Sequence, residues 1–185
     1  EMMLLAATVM VAASTSPAAA KDSRGCGKLF FGRRGHTVKR SLRVGLLERT
    51  YLLHIPESYN RHTPMPIILS HHGWTDDAAG DETGSGLSIQ AEKHGIIVAY
   101  LNGWNDNPNP APWGWRSWNG GGTVNASSHF ETCTIWGGTK EYCYTSCQKR
   151  RVGCDPRGCD WTTCVSSTQF NVAVLNHLEN EFCVD

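Results

Sequence analysis

Two short apolar runs, residues 67–70 (Ile-Ile-Leu-Ser) and 96–101 (Ile-Ile-Val-Ala-Tyr-Leu), constrain the fold of this chain more than any other feature. Both runs are continuous rather than alternating, which is typical of strands that are buried on both faces. Between them the sequence predicts a loop and then a helix over residues 85–94, which ends at Gly95 in a C-terminal cap position. Strand, loop, helix and strand form a βαβ unit, so we expect an α/β fold with a parallel sheet.

Further elements are predicted on either side of this unit. Residues 41–56 predict a β-hairpin, because alternating apolar residues are followed by a β-branched and aromatic run that ends at Pro56. A helix is predicted to begin near Ser166, which has the spacing of a capping box with Gln169, and to end near Cys183. Its apolar residues recur every fourth position and form one face. They are Phe170, Val174, Leu178 and Phe182.

Residues 102–164 lack sustained periodicity and are rich in Gly, Pro, Trp and Cys. A loop of this length is unusual in a compact domain, and disulfides would explain how it can be ordered. The cysteines lack the paired Cys-x-x-Cys knuckles of strong zinc sites, so disulfides are favoured over zinc and no metal is expected. The pairing stays open, because Cys183 pairs either with Cys26 or with a cysteine beyond this sequence. The disulfide candidates are Cys26, Cys133, Cys143, Cys147, Cys154, Cys159, Cys164 and Cys183.

Residues 1–20 have the apolar run and the Ala-x-Ala ending of a secretory signal peptide. The run is shorter than the roughly 20 residues that a membrane-spanning helix requires. No basic segment precedes it, so we expect the natural sequence to begin upstream of Glu1. Asn125, in Asn-Ala-Ser, is a glycosylation candidate. These features predict a secreted, extracellular protein.

The formal net charge is zero, which argues against nucleic acid or an anionic membrane as a partner. The charge is uneven, however, since residues 21–50 carry nine Lys or Arg against Asp22 and Glu48. One interpretation is a basic arm for a polyanionic partner. We favour a solvated segment that an acidic body balances, because the basic residues do not form a dense block.

Four segments occur in order along the chain: residues 49–56 (Arg-Thr-Tyr-Leu-Leu-His-Ile-Pro), 66–74 (Pro-Ile-Ile-Leu-Ser-His-His-Gly-Trp), 114–120 (Gly-Trp-Arg-Ser-Trp-Asn-Gly) and 178–185 (Leu-Glu-Asn-Glu-Phe-Cys-Val-Asp). Together they resemble the polyhydroxybutyrate depolymerase and feruloyl esterase family of secreted α/β-hydrolases. The resemblance implies the N-terminal part of a three-layer α/β-hydrolase sheet with a disulfide-rich insertion. The chain then divides into a signal peptide (1–20), a basic N-terminal segment with the first strand (21–48), and a partial hydrolase domain (49–185) that contains the Cys-rich loop (102–164).

The family cleaves carboxylic esters through an acyl-enzyme, with a Ser-His-Asp triad whose serine sits in a Gly-x-Ser-x-Gly elbow. The resemblance places that elbow on the strand after the helix that ends in Cys-Val-Asp. The 185 residues contain no such elbow; residues 83–86 (Thr-Gly-Ser-Gly) lack the first glycine and follow a polar loop. We therefore expect the nucleophile, Asp and His to lie beyond Asp185 and the chain as given to be inactive. A genuine short noncatalytic homologue is the alternative.

By the same resemblance, His72, Gly73 and Trp74 form half of an oxyanion hole. The expected donor is the backbone N–H of Trp74, with that of Thr75 as the fallback, and Gly73 would let the backbone approach the ester closely. Taken alone, His-Gly after a strand is an ordinary turn.

The histidines offer little evidence for a metal. The adjacent His71 and His72 would point to opposite faces of a strand and are poor joint ligands. The remaining histidines of the predicted elements are expected at the surface or half-buried. They are His54, His94 and His177.

Ser117, Trp118 and Asn119 are substrate-contact candidates, because the resemblance puts this stretch near the active-site face. The tryptophans of loop 102–164 either stack on an aromatic acyl group or sugar ring, or pack the loop onto the sheet, and both interpretations stay open. The expected substrate is a feruloyl ester of a plant polysaccharide or a polyester, with no cofactor, and the complete protein is expected to be a monomer. The rival interpretation is a secreted, noncatalytic carbohydrate-binding module rich in Trp and Cys.

One departure from the family concerns Ser166 and Ser167, which stand where family members often carry two aspartates. Serine caps a helix well, so the capping role survives. Any active-site role of those acids is in doubt here.

Overall fold

A computed structural model of the protein describes residues 22–106, 115–119, 144–146 and 163–185. Within these ranges four strands and three helices are complete. In chain order they are β1 (His36–Val44), β2 (Leu47–Ile55), β3 (Ile67–His71), α1 (Ala78–Ser85), α2 (Leu87–His94), β4 (Ile97–Leu101) and α3 (Ser167–Glu181).

Several sequence predictions concern residues outside the described ranges. They are the signal peptide 1–20, the glycosylation candidate Asn125, and most of the loop 102–164 with Cys133, Cys143, Cys147, Cys154 and Cys159.

The four strands form one sheet in the order β1-β2-β4-β3. β3 and β4 are parallel, with Ile67 opposite Ile97 and His71 opposite Leu101, and α1 and α2 lie between them in the chain. The βαβ unit and the parallel pairing are therefore confirmed, and the fold class is α/β. β2 is antiparallel to both β1 and β4.

Helices cover both faces of this sheet. On one face, Val174 of α3 belongs to the same core cluster as Ala99 of β4. On the other face, Ala78 of α1 and Ala91 of α2 pack with Val98 of β4. Successive residues of β4 thus serve opposite cores, because side chains alternate along a strand. This explains why its sequence is apolar without interruption.

The predicted hairpin is formed by β1 and β2, although β1 begins at His36, earlier than the sequence pattern indicates. Gly45 and Leu46 connect the strands, and Gly45 has a φ of 61°, a left-handed conformation that suits glycine. Exposed charges such as Lys39 stand on β1, an edge strand, where they discourage pairing with another sheet. The predicted boundary between the basic segment and the hydrolase domain, after residue 48, falls inside β2. The end of the basic segment is therefore part of the sheet.

α3 begins as the sequence predicts. Ser166 is the N-cap, and its Oγ accepts a hydrogen bond from the backbone N–H of Gln169 at 3.2 Å. The helix ends at Glu181, close to the predicted end. Its apolar face is buried and consists of Phe170, Val174 and Leu178. Phe182, the C-cap residue just after the helix, is buried as well.

α1 has no counterpart among the sequence predictions. Asp77 is its N-cap, with a side chain that accepts hydrogen bonds from the backbone N–H groups of Ala79 and Gly80. Gly86 ends α1 in the left-handed conformation, and α2 begins one residue later. The predicted helix over residues 85–94 is thus confirmed as α2, with Gly95 as its left-handed C-cap.

The N-terminal segment is tied to the end of α3. Cys26 forms a disulfide with Cys183. Of the two partners that the sequence left open for Cys183, the structure therefore has Cys26. Next to the bond, the backbone N–H of Gly25 donates to Glu179 O at 2.8 Å. Cys164 is disulfide-bonded as well.

After α3 the chain runs alongside the start of β3. Val184 forms a parallel bridge with Met65, in which Met65 N donates to Cys183 O at 3.1 Å and Asp185 N donates to Met65 O at 3.2 Å. The next residue of the strand, Pro66, turns its carbonyl to β4 and accepts from Ile97 N. Because the polar groups of neighbouring strand residues face opposite sides, Val184 lies on the side of β3 away from β4.

Candidate functional site

The carboxyl ends of β3 and β4 lie side by side, and the chain that follows them forms the candidate site. β3 leads into His72, Gly73 and Trp74, while β4 leads into Gly103 and Trp104. Ligands of open α/β sheets bind outside the carboxyl ends of the strands. The oxyanion residues predicted from the sequence are therefore at the edge of the sheet where a ligand is expected.

His72 holds the two loops together. Its side chain is 4% exposed, and its Nε2 accepts a hydrogen bond from the backbone N–H of Gly103 at 2.9 Å. The proton of the neutral ring is therefore on Nδ1, which donates to Gly73 O at 2.6 Å. Burial lowers the pKa of His72 below its ordinary value, more than the carbonyl of Gly73 and the nearby Asp76 raise it. Both ring nitrogens are engaged with backbone groups, so His72 holds the loop after β3 against the chain after β4.

Trp118 is anchored on the same loop. Its Nε1–H donates to the carbonyl oxygen of His72 at 2.8 Å. The indole ring lies 4.9 Å from the ring of His72 and 4.7 Å from the ring of His71, between centroids. The structure thus brings one substrate-contact candidate into direct contact with an oxyanion candidate, and leaves the indole half-buried.

Ser117 and Asn119 fix the segment on either side of Trp118. Ser117 is 3% exposed, and its backbone exchanges two hydrogen bonds with Trp104, at 2.9 and 3.0 Å. The backbone N–H of Asn119 donates to Ser167 Oγ at 2.9 Å, and its side-chain amide donates to Thr163 O at 3.0 Å. These contacts tie the segment to the chain after β4 and to the start of α3.

The next two residues of the loop, Trp74 and Thr75, differ in how they are held. Thr75 has a φ of 75°, a conformation that is strained for a β-branched residue, and its N–H donates to Arg116 O at 3.2 Å. The N–H of Thr75, which was the fallback oxyanion donor, is therefore already bonded to a backbone carbonyl of this chain. The indole of Trp74 donates to Tyr144 Oη at 3.3 Å and lies edge-on to Trp115 at 5.1 Å. Trp74 remains the predicted oxyanion donor.

Two arginines lie behind these loops. Arg49 is 2% exposed, its Nη2 donates to Asn102 O at 3.1 Å, and its guanidinium lies 4.0 Å from the centroid of the Phe170 ring. Arg116 donates from Nη1 to Gly103 O at 3.1 Å. Burial, together with a smaller effect of the positive charge of Arg116, lowers the pKa of Arg49 to about 10.

Several residues that contact the site were not predicted from the sequence to belong to it. Gly103, Arg49 and Tyr144 contact the site, yet the sequence singled out none of them for it. Arg49 lies in one of the segments that carry the family resemblance, and a charged residue at a strand position was the available signal. Tyr144 is buried and donates to Trp115 O at 2.8 Å, and no local pattern indicates that contact.

A second polar cluster lies on the face of the sheet that α1 and α2 cover. His54 is 5% exposed, so the expectation of a surface or half-buried position was wrong for it. Its Nε2 contacts Glu92 Oε1 at 2.8 Å, and its Nδ1 contacts Thr37 Oγ1 at 3.0 Å. Thr37 also donates to Glu82. The polar partners explain how a histidine is accommodated inside β2.

Among the described residues no group of three or more His, Cys, Asp or Glu side chains is arranged to hold a metal ion. Nor does this part of the chain include a helix with the length and apolar character needed to cross a membrane.

Comparison with models of known protein families and with curated proteins found nothing that matches this chain.

Proposed function

We propose that this chain is the N-terminal part of a secreted carboxylic-ester hydrolase of the α/β-hydrolase type, and that it is catalytically incomplete by itself. The observation that carries the proposal is the parallel bridge between Met65 and Val184, on the side of β3 away from β4. In the resemblance noted above, the strand that follows Cys-Val-Asp carries the nucleophile.

The register of this bridge supports the proposal. His71, the last residue of β3, lies six positions after Met65. A strand that continued in register from Val184 would reach the level of His71 about six residues later. Its next residues would then lie beside His72 and Trp74. A Gly-x-Ser-x-Gly elbow has to be near that point if Trp74 is to donate to the same oxyanion.

In the proposed reaction, a serine Oγ attacks the ester carbonyl while a histidine takes its proton. The tetrahedral intermediate expels the alcohol and leaves an acyl-serine, which water hydrolyses to the acid. Trp74 would contribute one N–H to the oxyanion, and the residue after the nucleophile would contribute the other. His72 would hold the loop in place, since its two nitrogens are already committed to Gly73 and Gly103.

The proposed substrate is a feruloyl ester of a plant polysaccharide or an aliphatic polyester. Trp118 supports an aromatic or carbohydrate substrate, because its half-buried ring lies against the oxyanion loop. Secretion is supported by the Cys26–Cys183 disulfide, since such bonds persist in oxidising compartments.

The decisive experiment is to sequence the transcript downstream of Asp185 and to assay both forms of the protein. We expect an apolar strand and then Gly-x-Ser-x-Gly within about ten residues, followed later by Asp and His. The extended protein should hydrolyse nitrophenyl acetate and methyl ferulate, whereas its Ser→Ala variant and the 185-residue chain should not exceed a heat-killed control. Turnover by the 185-residue chain, or a transcript without the elbow, would overturn the proposal.

A transcript without the elbow would leave the carbohydrate-binding module as the interpretation to test. Retention on feruloylated arabinoxylan, lost in Trp118→Ala and kept in Val172→Ala, would support that module. Val172 is an exposed residue of α3 and serves as the matched surface control.

A further inference from the structure

An open groove of about 460 Å³ lies between the N-terminal segment and the carboxyl end of α3. It is lined by residues 28–32, by residues 180–182 and by Arg40 of β1. Lys28 Nζ donates to Asn180 O at 2.7 Å and links the two chain segments. The disulfide of the N-terminal segment joins the same two parts of the chain, so the groove is a fixed part of the fold.

Three successive apolar residues of the groove alternate between the interior and the surface. Phe30 packs against Tyr59 and Phe182, with ring centroids 5.6 and 5.5 Å away. Leu29 and Phe31, on either side of it in the chain, are 66% and 90% exposed. Exposed apolar side chains that stand together beside a groove are typical of a surface that binds a partner.

The groove is also positively charged. The described residues that line it include two cations, Lys28 and Arg40, and one acid, Glu181. Arg33 and Arg34 follow directly in the chain and are exposed. These four positive charges outnumber the one negative charge, which favours an anionic partner.

We propose that this groove binds an acidic polysaccharide, that is, a chain of sugars that carry uronic acid carboxylates. The arginines would pair with the carboxylates, because a planar guanidinium matches two carboxylate oxygens. The exposed ring of Phe31 would pack against the apolar face of a sugar. Glu181, whose side chain is partly exposed, would accept hydrogen bonds from sugar hydroxyls.

A lipid surface fits these observations less well than a sugar chain. A bilayer could reach the protruding Phe31, but it could not reach the polar side chains that line the concave part of the groove. The groove is distinct from the oxyanion loop after β3, and binding there does not require the proposed esterase activity. Such binding would give the basic segment a polyanionic partner, which its charge pattern alone did not favour.

The test measures binding of the full chain to polygalacturonate by affinity electrophoresis, with the methyl-esterified polymer as the uncharged comparison. Arg33→Gln/Arg34→Gln removes two charges beside the groove, and Lys39→Gln/Arg43→Gln removes two from β1. Lys39 and Arg43 are exposed and alternate with Arg40 along β1, so they stand on the opposite face of the sheet. The first variant should raise the dissociation constant by about three- to tenfold, and the second by less than about twofold.

Phe31→Ala tests the aromatic contact. Its control is Leu46→Ala, because Leu46 is 89% exposed in the turn of the hairpin and lies outside the groove. Phe31→Ala should weaken binding by about three- to tenfold, and Leu46→Ala should leave it unchanged. All the substituted side chains are exposed, so these variants should keep the wild-type melting temperature.

Equal losses in the two double variants would overturn the proposal, because they would show general attraction between charges. Absence of wild-type binding would also overturn it, as would equal binding of the acidic and the methyl-esterified polymer. Vesicles of phosphatidylglycerol and phosphatidylcholine in equal parts test the lipid surface. Retention on these vesicles without retention on polygalacturonate would overturn the proposal in favour of a lipid partner.

Discussion

The backbone N–H of Gly103 donates to His72 Nε2 at 2.9 Å, and this bond joins the loop after β3 to the chain after β4. It requires an unprotonated Nε2, so the arrangement of both loops depends on the protonation state of one buried ring. The candidate oxyanion donor Trp74 lies two residues from that ring.

This dependence predicts a loss of stability in mild acid. Burial lowers the folded-state pKa of His72 below 6.5, so the unfolded chain binds the proton more readily. The contribution of neutral His72 to the free energy of unfolding is complete above about pH 6.5. It is lost as the pH falls through the folded-state pKa of His72. Urea unfolding between pH 5 and pH 8 should show this slope in wild type and in the exposed control His71→Gln. It should be absent in His72→Gln, and an unchanged slope there would contradict the assignment.

A second prediction concerns the opposite end of the pH scale. Burial raises the pKa of Tyr51 to about 12, with a contribution from Glu181. The folded state therefore keeps the proton, and the associated stability is present below pH 10 and lost as the pH rises toward 12. Tyr51→Phe should remove this loss. It should also be close to neutral at pH 7, because the buried hydroxyl of Tyr51 has no hydrogen-bond partner among the residues that the structure describes.

The check for Tyr51 is the difference between the wild-type and Tyr51→Phe unfolding free energies at pH 7 and at pH 10.5. A difference that does not change with pH would show that Tyr51 ionises equally well in the folded chain.

A third prediction concerns the disulfide between Cys26 and Cys183, which are 157 positions apart. Removing a crosslink over so long a loop increases the entropy of the unfolded chain, and about 5 kcal/mol of stability should be lost. The double variant Cys26→Ser/Cys183→Ser is preferred, because it leaves no single thiol to mispair. Unfolding in urea measures the loss, and a change below about 1 kcal/mol would mean that other contacts hold the N-terminal segment.

A fourth prediction concerns Gly25, where a Cβ would lie 2.1 Å from the backbone oxygen of Phe182. Backbone cannot move aside cheaply, so Gly25→Ala should destabilise the fold by about 2–3 kcal/mol. Gly84 is the matched control, because a Cβ there meets no atom within 4 Å. Since Gly84 lies inside α1, Gly84→Ala should raise stability by up to about 1 kcal/mol. Equal melting temperatures for the two variants would refute the close approach.

The sequence predicted the elements that bury apolar residues in a regular pattern. β3, β4 and the apolar face of α3 carry such patterns, and so does the hairpin. α1 does not, since its sequence, residues 78–85 (Ala-Ala-Gly-Asp-Glu-Thr-Gly-Ser), contains two glycines and buries only Ala78. The cap at Asp77 and the packing of Ala78 against β4 define it, and the second of these depends on tertiary structure.

The position of the site along the chain was predictable, but the hydrogen bonds that connect its residues were not. The apolar pattern of the sequence predicts where a buried strand ends. It therefore predicted that His72 and Trp74 lie in the turn after that strand. The partners of His72 come from Gly103 and Trp118, which lie 31 and 46 positions away. Such contacts depend on how two loops meet in space, and no local periodicity encodes them. The burial of His54 was missed for the same reason, since Glu92 lies 38 positions away.

The covalent link between Cys26 and Cys183 also sets an order of events during synthesis. Cys26 emerges from the ribosome first. Its partner Cys183 is 157 positions later in the chain, and synthesis of that stretch takes about 8–30 s at ordinary elongation rates. In an oxidising compartment, the other six cysteines of the chain become accessible to the Cys26 thiol before its native partner does. Correct oxidation of this protein is therefore a kinetic competition, and a disulfide isomerase should raise the yield of the native bond more than an oxidant alone.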